Sequence, residues 1–68
     1  MAITVKVNGQ TESLEDRTSV LALLKRFDLN PQRVIVERNR EIEARDAIDQ
    51  VILEDGDNVE IIRMVSGG

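Results

Sequence analysis

Residues 3–27 read ITVKVNGQTESLEDRTSVLALLKRF, and within them the repeat of the apolar residues lengthens from two to between three and four. Ile3, Val5 and Val7 alternate with Thr4 and Lys6, the spacing of a strand with one face buried. Asn8-Gly9 follows, two residues that tolerate positive φ and favour the tight turn of a hairpin. QTESLE (10–15) then reads as a second strand, antiparallel to the first, with Leu14 toward the core. Beyond it Val20, Leu23, Leu24 and Phe27 form one face of a helix, with Leu21 beside that stripe. Thr18 or Ser19 is a fitting N-cap. Asn30-Pro31 is expected to end the element, because the residue before proline is pushed out of α geometry. The spacing thus predicts a helix of about ten residues, a common length in globular domains.

After the helix the period returns to two. In RVIVERNREIE (33–43), Val34 and Val36 share one face and Ile35 takes the other, and Asn39-Arg40 is placed to turn the chain into a short strand around Ile42. In ARDAIDQVIL (44–53), Ile48, Val51 and Ile52 have the spacing of a short helical turn. EDGDN (54–58) is a tight turn of residues that accept unusual φ, and Asp55 and Asp57 are read as no more than turn residues. VEIIRMV (59–65) is a final strand with Val59 and Ile61 facing the core. A hairpin, a helix and further strands make an α+β domain, one main helix packed across a mixed sheet of four to five strands. With the first and last strands side by side and parallel, this is the β-grasp, or ubiquitin-like, roll. Spacing suggests that class but does not fix the strand order.

Composition narrows the function. The 68 residues fit one domain, here residues 1–65, followed by a flexible Ser-Gly-Gly tail at 66–68. A chain this short buries only about 60% of its unfolded surface and leaves little room for a deep pocket. It has no Cys and no His, hence no thiolate and no imidazole for catalysis or metal binding. With 13 acidic against 9 basic residues the net charge is -4, and Phe27 is the sole aromatic side chain. A nucleic-acid binder normally shows the reverse, a basic face with stacking aromatics, so no nucleic-acid partner is expected. No apolar run approaches the roughly 20 residues of a membrane helix, and no secretory signal opens the chain. A cytoplasmic protein, monomeric when free and not itself an enzyme, is the expectation.

Three segments carry a resemblance. NPQRVIVERN (30–39), LEDGDNVEII (53–62) and a C-terminal Gly-Gly, in this order, resemble the ubiquitin-like sulfur carriers, and among them the thiamine-pathway carriers of the ThiS family. IEAR (42–45) is similar to that family's Ile-Val-Pro-Arg, with Glu43 and Ala44 in place of the usual pair. Ser66 stands where many members carry Gly or Ala. Aromatic richness and a proline pair before the glycines, features of the molybdopterin-type relatives, are missing.

The resemblance implies a protein co-substrate. A partner adenylating enzyme of the ThiF type would consume ATP to activate the carboxyl of Gly68, and a sulfur donor such as a cysteine desulfurase would convert it to a thiocarboxylate. A thiazole synthase of the ThiG type would receive the sulfur, and the carrier would bind no cofactor. Carriage for molybdopterin or cysteine synthesis and ubiquitin-like protein modification are the alternatives. Gly67 and Gly68 lack Cβ atoms and would thread a narrow channel, with Ser66 keeping the tail polar. Ile62 and Met64 alternate with Val59 and Ile61, as Ile35 does with Val34 and Val36. If the two strands are neighbours, Ile35, Ile62 and Met64 form an exposed apolar docking patch near the tail, with Glu60 and Arg63 as charges at its rim.

Overall fold

The alternating segments at the N-terminus form the expected hairpin. In the computed structural model, which describes residues 1–64, β1 (Ala2–Val7) pairs antiparallel with β2 (Gln10–Glu15), Val7 opposite Gln10. Asn8 and Gly9 close the turn at φ 50° and 83°, the two positive angles whose twist matches that of the flanking strands. β3 (Val34–Arg38) and the two-residue β4 (Glu41–Ile42) form a second hairpin, closed in the same manner by Asn39 and Arg40 at φ 54° and 72°.

The last strand, β5 (Asn58–Arg63), joins the two hairpins into one sheet in the order β2-β1-β5-β3-β4. It runs parallel to β1 and antiparallel to β3. This is the β-grasp arrangement, with the first and last strands in the middle. The parallel ladder is short, Lys6 opposite Asn58 and Val7 opposite Val59. Asn8 lengthens it: its backbone N–H donates to the Val59 carbonyl, and its side-chain Oδ1 accepts the Ile61 N–H at 2.8 Å. One residue therefore turns the first hairpin and holds the strand that leads to the C-terminus.

Helix α1 (Val20–Arg26) buries Val20, Leu23 and Leu24 in a core shared with Val5, Val7 and Leu14 of the first hairpin and Val34, Val36, Val59 and Ile61 of the other strands. Ser19 is the N-cap, its hydroxyl accepting the Ala22 N–H, while the Thr18 hydroxyl donates back to the Glu15 carbonyl. The helix has seven residues, shorter than its apolar stripe implies, and Asn30-Pro31 is not its stop. Asp28 ends it at φ 58°. The N–H groups of Asp28 and Leu29 return to the carbonyls of Lys25 and Leu24, a Schellman cap with aspartate where glycine is usual. Asn30 instead caps a single 3-10 turn (Pro31–Arg33), its side chain accepting the Gln32 N–H.

Residues 45–50 form successive turns, and the bond from the Val51 N–H to the Ala47 carbonyl closes the expected short helical turn without extending it into a helix. Ile48 is buried, but Ile52 is exposed and lies in an isolated bridge with Ser19. The N–H groups of Val20 and Leu21 donate to the carbonyls of Val51 and Ile48 and hold this segment against the start of α1, beside the segment's own bonds from Ala47 to Ala44 and from Gln50 and Val51 to Ala47. Among the described residues, no helix is long and apolar enough to cross a membrane.

Candidate protein-docking site

β5 has two faces with different tasks. Val59 and Ile61 are buried under α1, while Glu60 and Ile62 point away from it. Met64 continues the ladder past the end of the strand, its N–H donating to the Arg33 carbonyl at 2.9 Å. Ile35 of β3 sits directly opposite Ile62. The expected patch of Ile35, Ile62 and Met64 is thus brought together on the outer face of the sheet, with Ile62 46% and Met64 39% exposed. Glu60 lies on the same face, opposite Glu37.

Arg63 is on the other side. It shares the parity of Val59 and Ile61, faces Val34 in the register and lines a depression with Phe27 and Leu29 near the end of α1. Strict alternation separates it from Ile62 and Met64, so it is not at the rim of their patch. Ile42 belongs to the patch instead, although nothing in its own segment singled it out. It stands opposite Glu37, diagonal to Ile35, and is 69% exposed. The Asn39-Arg40 turn held the clue, since a two-residue hairpin there sets Arg38 against Glu41 and so Glu37 against Ile42. Gly68, Gly67 and Ser66, and the boundary drawn at residue 65, lie outside the described residues.

The turn before β5 is anchored by a charge that the sequence conceals. Asp57 is 7% exposed. Its carboxylate accepts the Glu54 N–H at 2.8 Å, the Asn39 side-chain amide at 3.0 Å and Arg38 Nη1 at 3.3 Å. Arg38 also donates through Nε to Glu43 at 2.8 Å. The Asn39 Oδ1 accepts the Asn58 N–H, closing the network across β3 and β5.

Burial by itself would push the Asp57 carboxyl up, but the Glu54 N–H, the Asn39 amide and the Arg38 guanidinium outweigh it and hold the group below its ordinary value. A carboxyl lowered by folding stabilises the native state at any pH above its unfolded value, and that contribution fades as pH falls through the folded one. Acid unfolding should therefore draw on Asp57 below about pH 4. The Asp57→Asn variant is expected to be less stable at neutral pH and to lose less stability between neutral pH and strong acid. Urea melts of both proteins across that range would show two parallel pH profiles if Asp57 had no such role.

A model of the ThiS family matches residues 3–68, nearly the whole chain and its terminal glycines. The chain belongs to the ThiS family. It is 39% identical over 65 residues to the sulfur carrier protein ThiS of Bacillus subtilis, which covers 94% of this chain and 98% of that protein. A thiazole synthase of Paramagnetospirillum magneticum is 36% identical over 62 residues, 91% of this chain but 19% of the synthase. The chain thus spans about a fifth of that relative's length. The crystal structure of thiamine biosynthesis protein ThiS from Geobacter metallireducens superposes with a TM-score of 0.79 at 30% identity, over 97% of this chain and all of that one.

The ThiS-type segment Ile42–Arg45 has a structural explanation in this member. β4 pairs with β3 only at Glu37 and Arg38, which leaves the first half of β3 without a strand on that side. Arg45 covers it, donating from Nε to the Pro31 carbonyl at 3.0 Å and from Nη2 to the Val34 carbonyl at 3.2 Å. The Glu43 N–H donates to the Val36 carbonyl. Its side chain, the departure from the family's usual residue, is the one that pairs with Arg38.

Proposed function

We propose that this chain is a sulfur carrier for thiamine biosynthesis, a protein co-substrate whose Gly68 carboxyl is the reacting group. The observation that carries the reading is the apolar outer face of β3 and β5, because β5 is the strand that leads into Ser66-Gly67-Gly68. A partner that docks on Ile35, Ile62 and Met64 meets the start of the tail at once. The 39% identity to a sulfur carrier over nearly the whole of both chains supports the same reading.

The chemistry is acyl activation followed by displacement. A carboxylate resists nucleophiles because its leaving group would be an oxide. Attack of the Gly68 carboxylate on the α-phosphorus of ATP expels pyrophosphate and leaves an acyl adenylate. A sulfur nucleophile delivered by the donor, at the level of hydrosulfide, adds to the acyl carbon and AMP departs, which leaves the thiocarboxylate. The ThiF-type enzyme supplies the catalytic groups and the nucleotide site, and the carrier supplies the carboxyl and the docking face. A ThiG-type thiazole synthase is the acceptor, supported by the synthase whose chain includes a segment similar to this one. The carrier would act in the cytoplasm, where ATP is at hand.

Intact mass after incubation with the adenylating enzyme, ATP and a sulfide source tests the proposal. The expected product gains the mass of one sulfur less one oxygen. An isopeptide-linked conjugate on a target lysine, with no thiocarboxylate, would overturn it in favour of a protein modifier.

A further inference from the structure

On the outer face of the sheet, Glu37 of β3 lies directly opposite Glu60 of β5, one step along from the Ile35 and Ile62 pair. Like charges set directly opposite on neighbouring strands repel and oppose pairing. Among the described residues, neither carboxylate has a lysine, arginine or N-terminal nitrogen within salt-bridge distance. The nearest cation in sequence, Arg38, lies on the opposite face and is bound to Glu43 and Asp57. Lys6 shares the outer face but stands level with Asn58, short of Glu60 along the strand, because β1 turns away after Val7.

We infer that this face takes a protein surface that is apolar at its centre and presents an arginine to the Glu37 and Glu60 carboxylates. The inference rests on the carrier reading and names the chemistry of the partner it requires. The geometry specifies the occupant closely. Ile42 flanks Glu37 on β4, Ile35 and Ile62 lie beside the acidic pair, and Met64 extends the apolar strip. An arginine reaching this cross-strand pair would lay its aliphatic stem on the neighbouring isoleucines and bring its planar fork to both acidic side chains. Its charge removes the cross-strand repulsion that the free domain tolerates. A lysine could neutralise only as a point charge, without the paired donors. Docking and strand pairing are thus coupled: what weakens the sheet in the free carrier strengthens the complex.

The variants to make are the Glu37→Gln, Glu60→Gln double variant and, separately, Glu60→Lys, which neutralises Glu37 from within. Both are expected to melt higher than wild type by a few degrees. Both should bind the adenylating enzyme about tenfold more weakly or worse at low salt, and the affinity of the double variant should depend less on salt than that of wild type. Wild-type affinity in the double variant, or a wild-type affinity indifferent to salt, would overturn the inference and leave the carrier reading standing. A wild-type chain that binds the enzyme but forms no thiocarboxylate would overturn the carrier reading, and this inference with it.

Discussion

Deletion of Gly68 is expected to abolish thiocarboxylate formation and leave the melting temperature unchanged. The deletion does not remove a carboxylate; it moves one, since Gly67 then carries the terminal group. The new carboxyl stops one residue short, about 3.5 Å along an extended chain. Misplacement of a reacting group by even about 1 Å can cost on the order of a hundredfold in rate, so the loss should be at least that large. Stability should not follow. Among the described residues the last buried apolar side chain is Ile61, and glycine has no side chain to add to the core. Intact-mass kinetics and a thermal melt of the same preparation measure both effects. A melting temperature lowered by several degrees would mean that the terminal residue supports the fold, and the separation of handle from reacting group would fail.

Replacement of Leu24 by alanine should act in the opposite sense. Leu24 is fully buried beside Leu23 and Val20, on the face of α1 that closes the core. Leucine-to-alanine changes at such sites cost about 2–5 kcal/mol, the lost transfer energy plus the cavity that a close-packed interior cannot refill. A domain this small has roughly 0.05–0.15 kcal/mol of stability per residue, so the variant would retain little of it. The expected drop in melting temperature is about 4–8 °C for each kcal/mol. Ile42→Ala is the control, equally aliphatic but exposed, with an expected change within about 0.5 kcal/mol. A Leu24→Ala protein as stable as Ile42→Ala would mean that α1 does not hold the sheet.

These two variants separate the features that can be read locally from those that cannot. Asn8-Gly9, the alternation around Val5 and Val59 and the stripe from Val20 to Leu24 each concern neighbours in the chain, and each formed where its spacing placed it. Asn30-Pro31 is a strong local stop signal, but the stop in use is an aspartate in the left-handed region, and Asn30 caps the 3-10 turn that follows. At Ile48, Val51 and Ile52 the helical period yields a single turn and no helix, because the carbonyls of Ile48 and Val51 accept from the start of α1.

By itself the sequence determined the strands, the helix, the apolar outer residues Ile35, Ile62 and Met64, and the family pattern that ends in Gly67-Gly68. Side-chain period and turn chemistry are properties of a few consecutive residues, so they can be read without knowing what packs against them. Only the tertiary structure decided that Glu37 faces Glu60, that Ile42 joins the apolar outer face, and that Asp57, besides closing its turn, is a buried anchor. Those relations depend on register between strands distant in sequence. A shift of one residue in that register would turn every side chain to the opposite face.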